Sequence, residues 1–422
     1  MLDTSALVWG LGRLVVALFY RVERVGAALP PHPVLVVANH PNVPLDPPMI
    51  VATAGRTPLL AKSTLFRMPL VGWFVRGAGA IPVYRRTDAG EDPTRNQEMF
   101  AAVEQALAGG AAVCLFPEGT THSRGTVDPL KSGAARIALG AVARGIPVQV
   151  VAVGLNFDRK AVLRSTATVA YGQPFSPAPY LAPAADDPAA PVRVLTGEIA
   201  RHLRDLVVEA EPTREAELVR ALDRIYCAAR GVADDAASRL DRQQRLAESL
   251  LPALRAADPA AYDSLLETVG RYQRRLRRFG VDDEMVRGEV PLSAAARFAV
   301  RETAVLAGLA PLIALGMLVF AVPYQLVKWG VRVLRVSLEE QATYKVFGGA
   351  IFYPAWVTVL AAGAAAWHGP LAAWAVAAGA PLLAVATLFA WEREAAVLDT
   401  VRSYLAWQRM SPRAAGALAA QQ

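Results

Sequence analysis

Three stretches of this sequence bring together side chains that can do proton and phosphate chemistry. In Asn39-His-Pro-Asn-Val-Pro-Leu-Asp46 a histidine stands just past an apolar run, and an aspartate follows in the same loop. An imidazole can take the proton of an alcohol, while a carboxylate on its other nitrogen fixes the tautomer and steadies the imidazolium. The same aspartate precedes Pro47 and Pro48, so it also fits a helix start with proline at the first position. Gly79-Ala-Ile-Pro-Val-Tyr-Arg-Arg86 offers Arg85 and its neighbour, either guanidinium forks matched to phosphate oxygens or a solvated surface pair. Phe116-Pro-Glu-Gly-Thr-Thr121 puts Glu118 where it can hydrogen-bond a hydroxyl, and Gly119 where the backbone can approach a small molecule. Lys131, in Leu130-Lys-Ser-Gly133, is a further cation for a phosphate or an ordinary surface lysine.

Elements must hold these residues together. Four short apolar runs bounded by Gly and Pro read as buried strands: Val34–Ala38, Ala111–Phe116, Val148–Val153 and Ala167–Tyr171. Between them, Asn96–Leu107 and Ala134–Arg144 read as helices. Strand-helix alternation predicts an α/β domain, with the chemistry in loops at strand ends. A Pro- and Ala-rich stretch, Ser176–Asp187, reads as a linker. From Val192 to Arg278 the chain is rich in Ala, Leu, Arg and Glu, which predicts helices with charged faces.

The chain has 422 residues, of which 54% are hydrophobic, and a net charge of +7. An excess of positive charge fits nucleic acid, an anionic lipid surface or an acidic substrate. No nucleic-acid recognition motif accompanies it and long apolar stretches follow, so nucleic acid is set aside. The two cysteines, Cys114 and Cys227, have neither metal-like nor redox-like spacing. From about Ser5 to Tyr20 the sequence is apolar, but Asp3 precedes it and Arg13 and Arg21 interrupt it. That is an interfacial helix rather than a cleaved leader, with Trp9, Leu11, Leu14, Val15 and Leu18 on its apolar side.

Two stretches near the C-terminus are long enough for a membrane. Residues 303–327 carry no charge and contain Pro311 and Pro323; residues 346–391 carry none apart from His368, with Gly369-Pro370 near the middle. The second reads as a hairpin of two spans, at roughly 20 residues each. The first is either spanning or re-entrant. Basic residues before it (Arg274, Arg275, Arg277, Arg278), between the stretches (Lys328, Arg332, Arg335, Lys345) and after them (Arg393, Arg402, Arg409) all prefer the cytosolic side, which favours re-entry. The basic run Arg271–Arg278 fits anionic headgroups or a solvated helix face. The expected organisation is an interfacial helix in 1–30, an α/β domain in 31–185, a helical region in 186–300, an anchor in 301–395 and a cytosolic tail in 396–422. That makes an integral membrane protein with its α/β domain on the cytosolic face.

The order of the motifs is more specific than any one of them. NHPNVPLDP, GAIPVYRR, FPEGTT followed by PLKSGAARIAL, and the strand entry Gly145-Ile-Pro-Val148 resemble the glycerol-3-phosphate and lysophosphatidate acyltransferase family over roughly Pro33 to Phe175. Val153-Gly-Leu-Asn156 and Tyr171-Gly-Gln-Pro174 resemble one branch of it. The resemblance implies a sheet flanked by helices, and transfer of a fatty acyl group to glycerol-3-phosphate or a lysophospholipid without an acyl-enzyme. It implies acyl-CoA or acyl carrier protein as donor, a membrane lipid environment, and neither a metal nor a further cofactor. It makes His40 the general base and Asp46 its orienting partner. Asn42, Arg85, Glu118, Gly119, Thr120 and Lys131 become substrate-binding residues, and Asn42 also marks the branch.

Two departures stand out. The commonest family spacing has four residues between His and Asp, and here there are five, as in the branch that shares Asn42. An arginine often follows Glu-Gly-Thr in the family; here Thr121 takes that place and Arg124 is the nearest arginine. Two other classes of function compete. One is a catalytically silent lipid-binding or scaffolding protein on the same fold, against which the intact His40, Asp46, Glu118 and Arg85 set argues. The other is a transporter built on the C-terminal helices, against which their lack of ionisable residues argues.

Overall fold

The structure, a computed structural model, describes residues 4–31, 33–42, 45–68, 71–84, 95–119, 126–158, 164–181, 187–209, 213–232, 235–279, 292–333 and 341–409. It divides into two compact units, residues 1–216 with 235–248, and residues 217–234 with 249–422. The fold class expected from sequence, a mixed α/β sheet with flanking helices followed by helices apolar enough for a membrane, is what is found.

In the first unit, α1 (Thr4–Phe19) leads directly into β1 (Tyr20–Gly26), and then come β2 (Val34–Ala38), α2 (Asp46–Ala54) and β3 (Leu60–Lys62). After α3 (Val71–Gly77) and β4 (Ile81–Val83), α4 (Asn96–Ala108) leads to β5 (Ala112–Leu115). Next are α5 (Gly133–Ala143), β6 (Gln149–Phe157), β7 (Ser165–Tyr171) and α6 (Ala190–Arg204). The five-stranded sheet has the order β1-β7-β6-β2-β5. β2 runs parallel to both β5 and β6, while β6 and β7 are antiparallel. β3 and β4 form a parallel pair beside β5, joined to it by a parallel bridge between Leu59 and Cys114 and a 2.8 Å bond from Cys114 N to Pro58 O. β2 is buried along its whole length, as the unbroken apolar run Val-Leu-Val-Val-Ala requires. β2, β5, β3 and β4 point the same way, so their C-terminal ends open on one edge of the sheet. That edge is where open α/β sheets present their ligand-binding loops.

Three expectations need correction. The interfacial helix stops at Phe19, and Tyr20–Gly26 pair with β7 as an edge strand. Its charged residues Arg21, Glu23 and Arg24 hid it among the flanks of the helix, but charges are what protects an exposed edge. Trp9 faces inward with Val8 and Val16, whereas Leu7 and Leu14 are exposed. The α/β unit also runs past residue 185. Leu195, Ile199 and Leu203 of α6 recur every fourth residue and join the sheet's core. After α7 (Thr213–Arg230), α8 (Ala236–Arg245) anchors to β1 through the Arg239–Glu23 ion pair.

The second unit contains α9 (Leu251–Ala257), α10 (Pro259–Phe279) and three long helices: α11 (Leu292–Val333), α12 (Gln341–His368) and α13 (Pro370–Arg409). Among the described residues three segments are long and apolar enough to cross a membrane: Val300–Val333, Gly348–His368 and Pro370–Glu392. The hairpin expected at Gly369-Pro370 is present. Re-entry at 303–327 is not, because α11 continues unbroken through Pro311 and Pro323. Proline is tolerated inside such a helix when a neighbour satisfies the carbonyl it leaves unpaired. Val319 O, four residues before Pro323, accepts a 2.7 Å hydrogen bond from Trp356 Nε1 of α12. Residues 334–340, with Arg335, and the end of the tail from 410 lie outside the described residues.

Candidate active site

The strand end of β2 is fixed before its chemistry begins. The Asn39 amide behaves like one more strand residue: Oδ1 accepts from Leu155 N at 2.7 Å and Nδ2 donates to Leu155 O at 3.2 Å on neighbouring β6. The chain then turns out of the sheet at His40. His40 N donates to Glu118 Oε1 at 2.9 Å, and the imidazole stacks on Phe116, with ring centroids 4.1 Å apart and planes at 15°. Phe116 and Glu118 both come from the end of β5, so the parallel pairing of β2 and β5 is what brings the first and third motifs together.

His40 Nδ1 lies 2.9 Å from Asp46 Oδ2. The pair predicted from sequence is in contact despite its five-residue spacing. The loop absorbs the length by turning at Asn42, whose carbonyl accepts from Leu45 N (2.9 Å) and Asp46 N (3.1 Å). Asp46 opens α2, with Pro47 and Pro48 behind it, but the cap position belongs to Leu45 and makes no side-chain cap bond. The Asp46 carboxyl points back into the loop instead, where Oδ2 also accepts from Asn42 N at 2.6 Å. Asp46 is fully buried, while the His40 side chain is 15% exposed. A carboxylate at Nδ1 selects the tautomer that carries its proton there, which leaves the Nε2 lone pair available as a base. Among the described residues Nε2 has no hydrogen-bond partner.

The remaining predicted residues divide into several groups. Glu118 is buried, and its two oxygens accept from backbone: Oε1 from His40 N and Oε2 from Asp128 N at 3.2 Å. It splices the His40 loop to the loop after β5 rather than standing open toward an acceptor hydroxyl. Asn42 is buried as well, with Nδ2 donating to Tyr20 OH at 2.6 Å, so its side-chain nitrogen faces the protein. Gly119 has φ +70°, and a Cβ there would lie 2.5 Å from Lys131 Nζ. The left-handed backbone is what calls for glycine here, with the exposed lysine side chain lying over it. Lys131 is held by a 2.8 Å bond from its N to Pro117 O, with its side chain exposed. Arg85 and Thr120 lie outside the described residues.

The sequence reading passed over two residues. Tyr20, at the start of β1, supplies the oxygen that holds Asn42; its own stretch looks like the polar end of a helix. Lys62 ends β3, opposite Val83 of β4 and so two residues from where the chain reaches Arg85. The signal for it was available: Leu-Leu-Ala-Lys is a short apolar run ending in a cation, as Ile-Pro-Val-Tyr-Arg is. A three-residue strand is too short to register as periodic. Among the described residues no group of three or more His, Cys, Asp or Glu could hold a metal ion.

Part of this chain is similar to known proteins. Residues 21–154 match the family model described as Acyltransferase. Glycerol-3-phosphate O-acyltransferase 2 of Saccharomyces cerevisiae is 33% identical over 134 residues, which is 31% of this chain and 18% of that one. A chloroplastic 1-acyl-sn-glycerol-3-phosphate acyltransferase of Brassica napus is 27% identical over 122 residues, 29% of this chain and 34% of that one. The matched segment thus spans about a third or less of either relative's length. Among solved structures, the 1-acyl-sn-glycerophosphate acyltransferase of Thermotoga maritima is 20% identical, with a TM-score of 0.34 over 48% of this chain and 78% of that one.

Proposed function

We propose that this chain belongs, through residues 21–154, to the glycerol-3-phosphate and 1-acylglycerol-3-phosphate acyltransferase family, and that it acylates a phosphate-bearing glycerol acceptor at a membrane surface. The acceptor is glycerol-3-phosphate or a lysophospholipid such as lysophosphatidate. The donor is an acyl thioester, acyl-CoA or acyl carrier protein, and nothing else enters the reaction.

The observation that carries this reading is the 2.9 Å contact between His40 Nδ1 and buried Asp46. The acceptor hydroxyl attacks the thioester carbonyl as His40 Nε2 takes its proton. A carbon–oxygen bond forms, the carbon–sulfur bond breaks, and the proton passes from the imidazolium to the departing thiolate. Asp46 holds the ring and stabilises its charged form. Glu118 keeps His40 in register with the loop after β5. Lys62, Arg85 and Lys131 supply cations for the acceptor phosphate, and Thr120 and Gly119 line its approach. α11, α12 and α13 hold the protein in the bilayer with the α/β unit on the cytosolic side, where the arginines around Arg274 support the orientation.

The test is radiolabelled acyl transfer by the purified full chain in detergent. Wild type and His40→Ala are compared, with acyl-CoA as donor and glycerol-3-phosphate and lysophosphatidate offered in parallel. The expected result is turnover by wild type and a loss of about a hundred- to ten-thousandfold in the variant. Turnover that survives His40→Ala would remove the general-base assignment. A folded wild type inactive with both acceptors and with acyl carrier protein as donor would return the protein to the silent lipid-binding reading.

A further inference from the structure

Tyr20 sits at the junction of α1 and β1, with no linker between the two elements. It is almost wholly buried, and its ring packs against Phe19 and Phe157 with centroids 5.2 and 5.1 Å away. Burial pushes its phenol well above the ordinary range, which keeps the hydroxyl neutral. A phenylalanine would serve that packing equally well. The hydroxyl is spent on Asn42 Nδ2, 2.6 Å away.

Asn42 is the hinge on which the catalytic loop turns. Its N–H donates to Asp46 Oδ2 at 2.6 Å, and its carbonyl receives the N–H groups of Leu45 and Asp46. The oxygen that accepts from Asn42 N is the same Oδ2 that holds His40 Nδ1. Any rotation of the Asn42 backbone therefore moves the carboxyl that orients the imidazole. Those backbone bonds all lie within the loop itself, whereas the Asn42 side chain ties the loop to a buried residue of the sheet.

We infer that Tyr20 is a positioning residue for the His40–Asp46 pair, acting through Asn42. This rests on His40 as general base. Tyr20 reaches the pair through Asn42: it fixes the residue that fixes them. Its removal lowers the rate of the chemical step and leaves substrate affinity alone.

Steady-state kinetics on the full chain test this with wild type, His40→Ala, Tyr20→Phe, Asn42→Ala and the Tyr20→Phe/Asn42→Ala double variant. Tyr20→Phe is expected to lower kcat roughly ten- to a hundredfold, the scale of a small misplacement of reacting groups, with KM for acceptor and donor unchanged. Asn42→Ala is expected to do the same. The double variant should lose no more than the worse single one, because both changes cut one link. Asn42→Ala reaches that link from its other end and carries the test if Tyr20→Phe does not accumulate. Wild-type kcat in Tyr20→Phe beside an inactive His40→Ala would overturn the inference, as would losses that multiply in the double variant. An active His40→Ala would overturn the general-base reading instead.

Discussion

The loop at His40 and the middle of α11 meet the same physical problem, a backbone polar group that regular structure has left without a partner, and answer it in opposite ways. Where β2 ends, the free groups are N–H donors, and carboxyls take them: Glu118 accepts from His40 N and Asp128 N, and Asp46 accepts from Asn42 N. In α11, Pro323 has no N–H to offer the carbonyl of Val319, and a neutral indole N–H from Trp356 fills the gap. The first solution concentrates acidic oxygens around a histidine, the arrangement that the proposed acyl transfer uses. The second neutralises a local defect. A strand-end loop can hold carboxyls because backbone amides converge on them. A segment built to sit in lipid cannot hold a charge at that price.

The strongest test of this comparison acts on Asp46. His40 Nδ1 and Asn42 N share Oδ2, so Asp46→Asn can keep an oxygen for both, but it removes the negative charge that stabilises the imidazolium. A fall in kcat of about a hundred- to ten-thousandfold is expected, with secondary structure retained by circular dichroism. A near-wild-type rate would mean that the carboxyl only shapes the loop.

Glu118→Gln comes next. One of the two backbone amides now held by Glu118 would face an amide donor, and His40 would lose its register with β5. Acyl transfer should fall roughly ten- to a hundredfold, mainly in kcat. A rise in KM for the acceptor with kcat intact would instead return Glu118 to direct contact with substrate.

How much of this was legible follows the same divide. The His40, Asp46 and Glu118 motifs could be read because residue types and order carried them, and β2, β5, β6 and β7 because their buried stretches are mostly apolar and β-branched. Edge strand β1 was misread because its exposed side is charged, so no apolar run marks it. The roles of Glu118 and Asn42 were not legible, because a side chain that binds backbone and one that binds substrate look alike in sequence. Tyr20 escaped for a related reason: its partner lies 22 residues away, on another strand's loop. The continuity of α11 escaped because the residue that repairs Pro323 belongs to α12.

In the helical unit the expected effects are smaller and fall on stability. A Cβ at Gly316 of α11 would overlap the side chain of Thr387 in α13, the close approach that small residues permit between helices in lipid. Gly316→Leu should destabilise the bundle by about 1–3 kcal/mol, read as a lower midpoint in a detergent-denaturation titration. Acyl transfer measured below that midpoint should stay at the wild-type rate. A rate that falls first would show that the bundle does more than anchor.

The smallest effect is the most specific. Trp356→Phe keeps an aromatic ring but strips Val319 O of its donor, and should cost about 0.6–1 kcal/mol by the same titration. Pro323→Ala supplies a backbone N–H four residues after Val319, which can close the helix's own bond. In that background the indole has nothing left to repair, so Trp356→Phe should become close to neutral. The coupling between the two positions, measured as a double-mutant cycle, separates repair of the proline gap from simple packing of the indole. Equal costs of Trp356→Phe with proline and with alanine at position 323 would mean the hydrogen bond merely accompanies the contact. A coupling that accounts for most of the single-variant loss would establish that α11 stays continuous because α12 completes it.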